Sequence, residues 1–471
     1  MKISKYLGDK PFWKVTGRLA LPIALQNLLT SSFSLVDTMM VSRLGDVALS
    51  AVGMAGQWGW MSMLLGFGLS SGMAVFVSQY WGVDDRKGIR RVLGIGLLAC
   101  LLLSGSFMGV ALLRPDFVIG LFNRDPQVME SGCRYLVIAC LSYPAVALTN
   151  VLSTVLRGVE RVKLPMYASL VTTLVNAVVN YGLIFGKLGM PAMGVEGAAV
   201  ATCVSSWLGP VILLVFSAAE KNILIGPVCE LFRFRGSHLA EFLRRVTPVL
   251  INEGLWSLGI VTLNRIFANQ GYEYYAGMTI YKTMADLAFA FYAGLAGACT
   301  VMVGKSVGRG KIARAIEDAG RFSILVPISS LMLGIALIFL RQPLVAAFSA
   351  GDSLSALTLR TALAVTVLCG LELPVRNLPY LQLVGVFRSG GDTFRGMLYE
   401  LGSLWLISIP LTYAAANWVQ LPFLAVIAVA YLGEDLPKMI LCLTHFFSGR
   451  WLKPVTPEGI SGLKAYQNGE K

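Results

Sequence analysis

Residues 90–113 read RRVLGIGLLACLLLSGSFMGVALL, two arginines followed by 22 positions without a charge. A helix rises 1.5 Å per residue, so about 20 mostly apolar residues cross the hydrocarbon core of a bilayer. This stretch reads as a membrane span. Outward from it, comparable runs lie near 19–42, 47–80, 132–156, 164–188, 194–218, 243–270, 275–304, 320–342, 358–387, 396–418 and 421–447. The runs at 47–80 and 275–304 are long enough to tilt or to extend past the bilayer. The ten-residue alternating segments of a membrane β-barrel are absent. Composition agrees, with a mean hydropathy of +0.68 and 14% charged residues. Soluble domains carry about 25%, so a water-facing surface would have too little to solvate it. The expected fold is therefore all-α integral membrane, with twelve transmembrane helices.

The net charge of +13 could point to nucleic acid, but the placement of the basic residues gives a simpler account. With the N-terminus on one side and alternate loops assigned in turn, that side receives 28 of the 39 Lys and Arg residues, from Lys2 and Lys5 to Lys471. The opposite side receives seven, Arg124 among them, and four stay inside spans. Basic residues accumulate on the cytoplasmic side, which predicts cytoplasmic termini and no nucleic-acid partner. The polar N-terminus runs through Arg18, and the first apolar run is too long for a signal-peptide core; a retained first span is expected. The eight cysteines are scattered without a C-x-x-C pair and the chain has two histidines, which argues against a thiol-based metal site.

The two halves repeat. LPIALQN at 21–27 matches TPVLINE at 247–253, and VSQYWG at 77–82 matches VGKSVG at 303–308, both 226 positions apart. Arg157 and Met166 match Arg388 and Met397, 231 apart. The polar stretch 219–242 divides the chain into a first lobe over 1–218 and a second over 243–447, with a cytoplasmic tail at 448–471. Six spans per repeat is an even number, so both copies run the same way, as in transporters with a site between pseudo-symmetric lobes.

Ionisable residues inside spans are costly and read as functional by default. In the first half the clear case is Asp37. Asn176 and Asn180, four residues apart on one helix face, and Thr202 in the next span add amide and hydroxyl groups. Together these are hard oxygen ligands suited to Na⁺, and a buried carboxyl also suits proton binding. The structural alternative is that Asn and Thr only link helices by hydrogen bonds. The second half holds Glu253, the i,i+4 pairs Lys282–Asp286 and Glu372–Arg376, and then Glu400, Glu434, Asp435 and Lys438. Each pair could simply neutralise itself. Glu253 has no partner nearby in sequence and stands out as a candidate. Pro22, Pro144, Pro248 and Pro374 fall within spans and predict kinks.

VDTMMVSRLGDVALSAVG (36–53), SQYWGVDDRKGIRR (78–91), LRGVERVKLPM (156–166), NAVVNYGLIFGKLGMPAMGVEGAAVAT (176–202) and FRSGGDTFRGM (387–397) together resemble the multidrug and toxic compound extrusion (MATE) family. The resemblance covers almost the whole chain. It implies two six-helix lobes forming a V-shaped cavity, and antiport of organic compounds against Na⁺ or H⁺. It places the coupling carboxylate on Asp37 and the remaining cation-site positions on Asn176, Asn180 and Thr202. Some members carry an aspartate where this chain has Asn180. A second-lobe glutamate falls on Glu253, and the tenth-helix aspartate of some Na⁺-linked members falls on Asn377. The second lobe thus offers Glu253, Lys282, Asp286, Glu372, Arg376 and Asn377 as a substrate or second cation site.

These readings describe an exporter of small organic, cationic or amphipathic compounds, monomeric in the lipid of the inner membrane. The coupling ion takes the place of a cofactor. No GxxxxGK[ST] signature for ATP is present. A flippase for lipid-linked or polysaccharide precursors is the main rival and would need a cavity rich in Arg and Lys. An intramembrane enzyme would need a nucleophile–base or metal pair, and the spans offer none. A channel would pass current without stoichiometric exchange.

Overall fold

The structure is a computed structural model that describes residues 8–122, 126–348 and 355–469. Lys2, Lys5, Arg124 and Lys471 of the orientation count lie outside them. The long helices of the first half are α1 (Lys10–Ser42), α2 (Asp46–Gly82), α3 (Arg86–Leu113), α4 (Pro126–Gly158), α5 (Lys163–Phe185) and α6 (Gly194–Ala219). Those of the second are α7 (Gly236–Ala268), α8 (Tyr272–Gly308), α9 (Ile312–Phe348), α10 (Ala356–Gly390), α11 (393–417) and α12 (Phe423–Phe447). Short helices Pro115–Gly120, Val228–Phe232 and Pro457–Gln467 complete the list. Among the described residues the one extended pairing is an isolated bridge between Gly391 and Leu452.

Ten of the twelve are long and apolar enough to cross a membrane on those grounds alone. The eleventh is divided by a π-helical segment at Ser403–Ser408, and the twelfth carries Glu434, Asp435 and Lys438 at mid-length. Leu102, Phe339 and Leu406 are 73%, 80% and 79% exposed. Large apolar side chains standing this far out need lipid around them. The chain is a multi-pass membrane protein.

Several helices begin earlier than the apolar runs, since a helix continues past the hydrocarbon wherever its backbone stays bonded. Asp9 shows how α1 starts: its Oδ1 accepts the Phe12 N–H at 3.1 Å, and that bond holds its carboxyl below the usual carboxylate range. Pro144 follows a 3₁₀ turn at Cys140–Ser142 that interrupts α4, because proline supplies no N–H to the preceding turn. In α10 the break comes after Pro379, as a π-helical segment at Leu381–Phe387.

Two compact units emerge, Leu25–Leu250 and Ile251–Lys471 with Met1–Ala24. The divisions fall inside α1 and α7, 226 positions apart, the spacing of the sequence repeat. In the first unit the core gathers Val41, Ile119, Leu136 and Ile184 around Tyr135 and Tyr143, and the Trp58 indole donates to the Phe107 carbonyl at 3.1 Å. Gly94 of α3 lets the backbone of Leu231 press directly on the helix. The core of the second unit centres on Phe267, Tyr281, Met284, Phe423 and Val426. There α9 and α10 touch backbone to backbone at Gly334 and Gly370, the close approach that small residues allow between membrane helices.

Candidate ion and substrate sites

In the first unit, α1, α5 and α6 bring the four predicted residues together. Asn180 Nδ2 donates to Asp37 Oδ1 at 2.7 Å and to Asn176 Oδ1 at 2.6 Å. Asn176 Nδ2 donates to Ser205 Oγ at 3.0 Å, and Ser205 donates in turn to the Thr202 carbonyl at 3.1 Å. Asn176 and Asn180 are fully buried. Asn180 Oδ1 and Thr202 Oγ1 are buried with no hydrogen-bond partner among the described residues. Such orphaned acceptors are expensive in a protein interior. A carboxylate, an amide oxygen and a hydroxyl oxygen make a donor set that fits a small hard cation, and Asp37 alone can hold a proton.

Sequence reasoning passed over two members of this cluster. Ser205 lies three residues from Thr202 on the same face of α6, a spacing that could have flagged it. Tyr135 is buried with its hydroxyl beside Thr202, but an uncharged tyrosine in an apolar run gives no signal of its own.

The second unit is built differently. Glu253 is not alone: Arg388, 135 residues later, places Nη2 2.8 Å from its Oε1, and both side chains are buried. The partner closes the pair across helices, out of reach of any local spacing rule. Lys438 is the centre of a second group, with Nζ 2.9 Å from Glu434 Oε1 and 2.8 Å from Asp435 Oδ1. Asn252 Nδ2 donates to Glu400 Oε2 at 2.7 Å.

Among the described residues, neither predicted i,i+4 pair closes as an ion pair. Glu372 is 5% exposed, and its carboxyl group lies against that of Asp435, with no cation bonded to either of its oxygens among the described residues. Its strongest charged neighbours are Asp435, Arg376 and Lys438. The Arg376 guanidinium lies over the Tyr431 ring, 5.8 Å from its centroid. Asp286 feels both Lys282 and Arg376. Asn377 turns away toward α9, donating to Ser330 Oγ at 3.0 Å.

Spanning helices in two repeated halves, each with polar groups buried at mid-span, define a multi-pass transporter built from repeats. The chain belongs to the MatE family, whose model matches residues 22–182 and again 248–414. Members of this multidrug and toxic compound extrusion family generally perform secondary active efflux, so the chain is a transporter and not an enzyme. It is 27% identical over 451 residues to a probable multidrug resistance protein NorM of Thermotoga maritima, covering 93% of this chain and 92% of that one. A probable NorM of Bradyrhizobium diazoefficiens is 27% identical over 419 residues, with 85% and 86% covered.

Among solved structures, a MATE protein in a bent conformation superposes with a TM-score of 0.83 at 17% identity, with both chains fully covered. An outward-facing multidrug resistance MATE transporter gives 0.81 at 20%, covering 96% and 97%. A transporter of the wider superfamily from Pyrococcus furiosus, described as having a binding pocket of reversed polarity, gives 0.82 at 18%, covering 96% and 97%. These likenesses establish the shared fold.

Proposed function

We propose that this chain is an antiporter of the inner membrane, both termini cytoplasmic, that exports small organic cations or amphipathic compounds in exchange for H⁺ or Na⁺. The observation that carries the reading is Asp37, a carboxylate inside a span, held by Asn180, whose own side-chain oxygen is buried with no partner among the described residues. As a carboxylate, Asp37 accepts the Asn180 N–H. A proton there removes the charge, and a sodium ion would draw on Asp37, Asn180 Oδ1 and Thr202 Oγ1. Either ion changes the balance of charge at the cluster, and an ion that favours one conformation over another biases the exchange. In the second unit the buried acids outnumber the bases, which favours a cationic substrate over a pyrophosphate-linked lipid. The Pyrococcus neighbour makes the fold itself neutral on that choice.

The test is efflux from proteoliposomes under imposed H⁺ and Na⁺ gradients, applied separately. Asp37→Asn keeps the shape and removes the titration, so gradient-driven efflux should fall to the protein-free background while membrane insertion and folding remain intact. Wild-type efflux by a well-folded Asp37→Asn variant would sink the mechanism.

A further inference from the structure

In the first unit the ends of α2, α4 and α6 converge around a cavity of about 180 Å³ whose wall includes Trp81, Ile223, the cations Arg86, Arg90, Arg161 and Lys221, and one carboxylate, Glu220. The turn that follows each helix passes through the left-handed region at a charged residue: Asp84 at φ 55°, Glu160 at 65° and Lys221 at 48°. The corresponding turns of the second unit, 226, 231 and 228 positions later, use Gly310, Gly391 and Gly449 at φ 72°, 97° and 66°. Glycine takes this conformation without strain, whereas other residues do not. The first unit keeps charged side chains at three places where its repeat does without them.

The matching space of the second unit is filled. Trp451, fully buried, stands at the position of Ile223 and packs against Gly390. The tail closes over the rest: Thr456 Oγ1 donates to the Gly308 carbonyl at 2.6 Å, and Lys453 N donates to that of Gly390 at 2.7 Å. At the positions of Arg86, Arg90, Arg161 and Lys221 stand Ile312, Ile316, Asp392 and Gly449. The cations thus belong to the open cavity and not to the repeat as such.

They are also differently held. Arg90 is fixed, with Nη1 2.6 Å from Glu230 Oε2 and further bonds to the carbonyls of Ile223 and Ile225. It forms the wall. Arg86 meets Asp84 at 3.2 Å and Arg161 meets Glu220 at 3.3 Å, but all four side chains are well exposed, and exposed pairs are weak enough to exchange. Lys221 forms no ion pair among the described residues.

We propose that this cavity binds a phosphate group, with Arg86, Arg161 and Lys221 as its ligands and Arg90 setting their frame. Guanidinium forks match the oxygens of a phosphate. The source the geometry favours is the headgroup of an anionic phospholipid, because the cavity opens at the ends of membrane helices beside Trp81, where basic pockets and indole rings meet headgroups. A soluble phosphate shares the same chemistry. The site lies wholly in one unit and takes no part in the proposed ion exchange, so it stands or falls separately.

The experiment uses the purified full-length protein and three probes: phosphatidylglycerol, phosphatidylcholine and inorganic phosphate, with retention read by native mass spectrometry. Wild type should retain one phosphatidylglycerol at a concentration at least tenfold lower than the triple variant R86Q/R161Q/K221Q requires. Phosphatidylcholine should not distinguish the two. Ile223→Trp copies the second unit and fills the cavity without removing a cation, and it should lose the same tenfold. It also carries the test if the triple variant does not fold. If inorganic phosphate alone shows these losses, the site stands and its ligand is a soluble anion. Equal retention of every probe by wild type and Ile223→Trp overturns the proposal, since surface charge alone would then account for any binding.

Discussion

In the first unit a single carboxylate, Asp37, meets two amides and two hydroxyl-bearing residues, and the cluster is joined by neutral donors. In the second unit Glu253, Glu434 and Asp435 meet Arg388 and Lys438 at 2.8–2.9 Å, with Glu372 beside them. One scaffold, copied within the chain, therefore buries polarity in two ways. A lone carboxylate among amides can gain or lose an ion at modest cost, because little else depends on its charge. A carboxylate locked to lysine or arginine cannot, because the loss of either charge strands the other in low dielectric. The difference favours exchange at Asp37 and a more fixed electrostatic wall in the second unit, interrupted at Glu372, whose carboxyl meets that of Asp435 and no bonded cation among the described residues.

The largest expected effect tests that wall. Lys438→Met leaves Glu434 and Asp435 without their shared cation and should destabilise the protein by about 3–5 kcal/mol. Adding Glu434→Gln and Asp435→Asn should restore most of the loss, read as the melting temperature of detergent-solubilised protein. A Lys438→Met variant as stable as wild type would mean that these acids already carry protons, and the contrast between the units would collapse.

A smaller effect is expected at the helix ends. Asp392 is 1% exposed, with Lys453 Nζ at 2.8 Å and His445 Nε2 at 3.2 Å, and it caps α11 through the Arg395 N–H. Burial raises its carboxyl, but the bonds and charges of His445 and Lys453 outweigh that and hold it below the usual range. A depressed carboxyl stabilises the fold fully above its unfolded value of about 3.9 and loses that contribution as pH falls through the folded value. Asp392→Asn should cost about 2 kcal/mol at neutral pH, and its difference from wild type should shrink between about pH 5 and pH 3. Its repeat counterpart Arg161 has a side chain 59% exposed, and Arg161→Ala should stay within about 0.5 kcal/mol. A pH-independent gap at Asp392 would assign its role to shape.

The spans and the repeat were legible because both are local patterns: a run of apolar residues, or a motif with a constant offset. The convergence of Asp37, Asn176, Asn180 and Thr202 was legible for a different reason, since a resemblance carried those positions over together. What escaped was made by long-range closure. Glu253 looks unpaired until α7 meets the end of α10 and Arg388 arrives. The i,i+4 spacing of Glu372 and Arg376 shows a shared face, but the guanidinium takes the Tyr431 ring, a choice set by packing against α12. Lys438 sits four residues after Glu434 and three after Asp435, so that pairing was within reach of the same spacing rule. The cavity at Ile223 was invisible for want of its contrast, a tryptophan filling the same place in the other unit.

The smallest expected effect lies at that contrast. Asp84 adopts φ 55°, a conformation that costs an L-residue about 1–2 kcal/mol, less for aspartate, whose short side chain bonds locally. Asp84→Gly removes the strain but frees the unfolded chain by about 0.5–1 kcal/mol, and it gives up an exposed pair with Arg86 worth about 1 kcal/mol at most. The three nearly cancel, so the melting temperature should move by less than about 1 kcal/mol implies. The reverse exchange in the second unit is not neutral. A Cβ on Gly310 would stand 2.6 Å from the Glu458 carbonyl oxygen and 3.2 Å from Gly462 Cα, so Gly310→Asp adds a clash to the strain and should displace the helix Pro457–Gln467. Limited proteolysis of the tail reads that displacement directly. If Gly310→Asp leaves both melting and proteolysis unchanged, the tail does not depend on this close approach, and glycine at 310 needs another explanation than the one that separates the two units here.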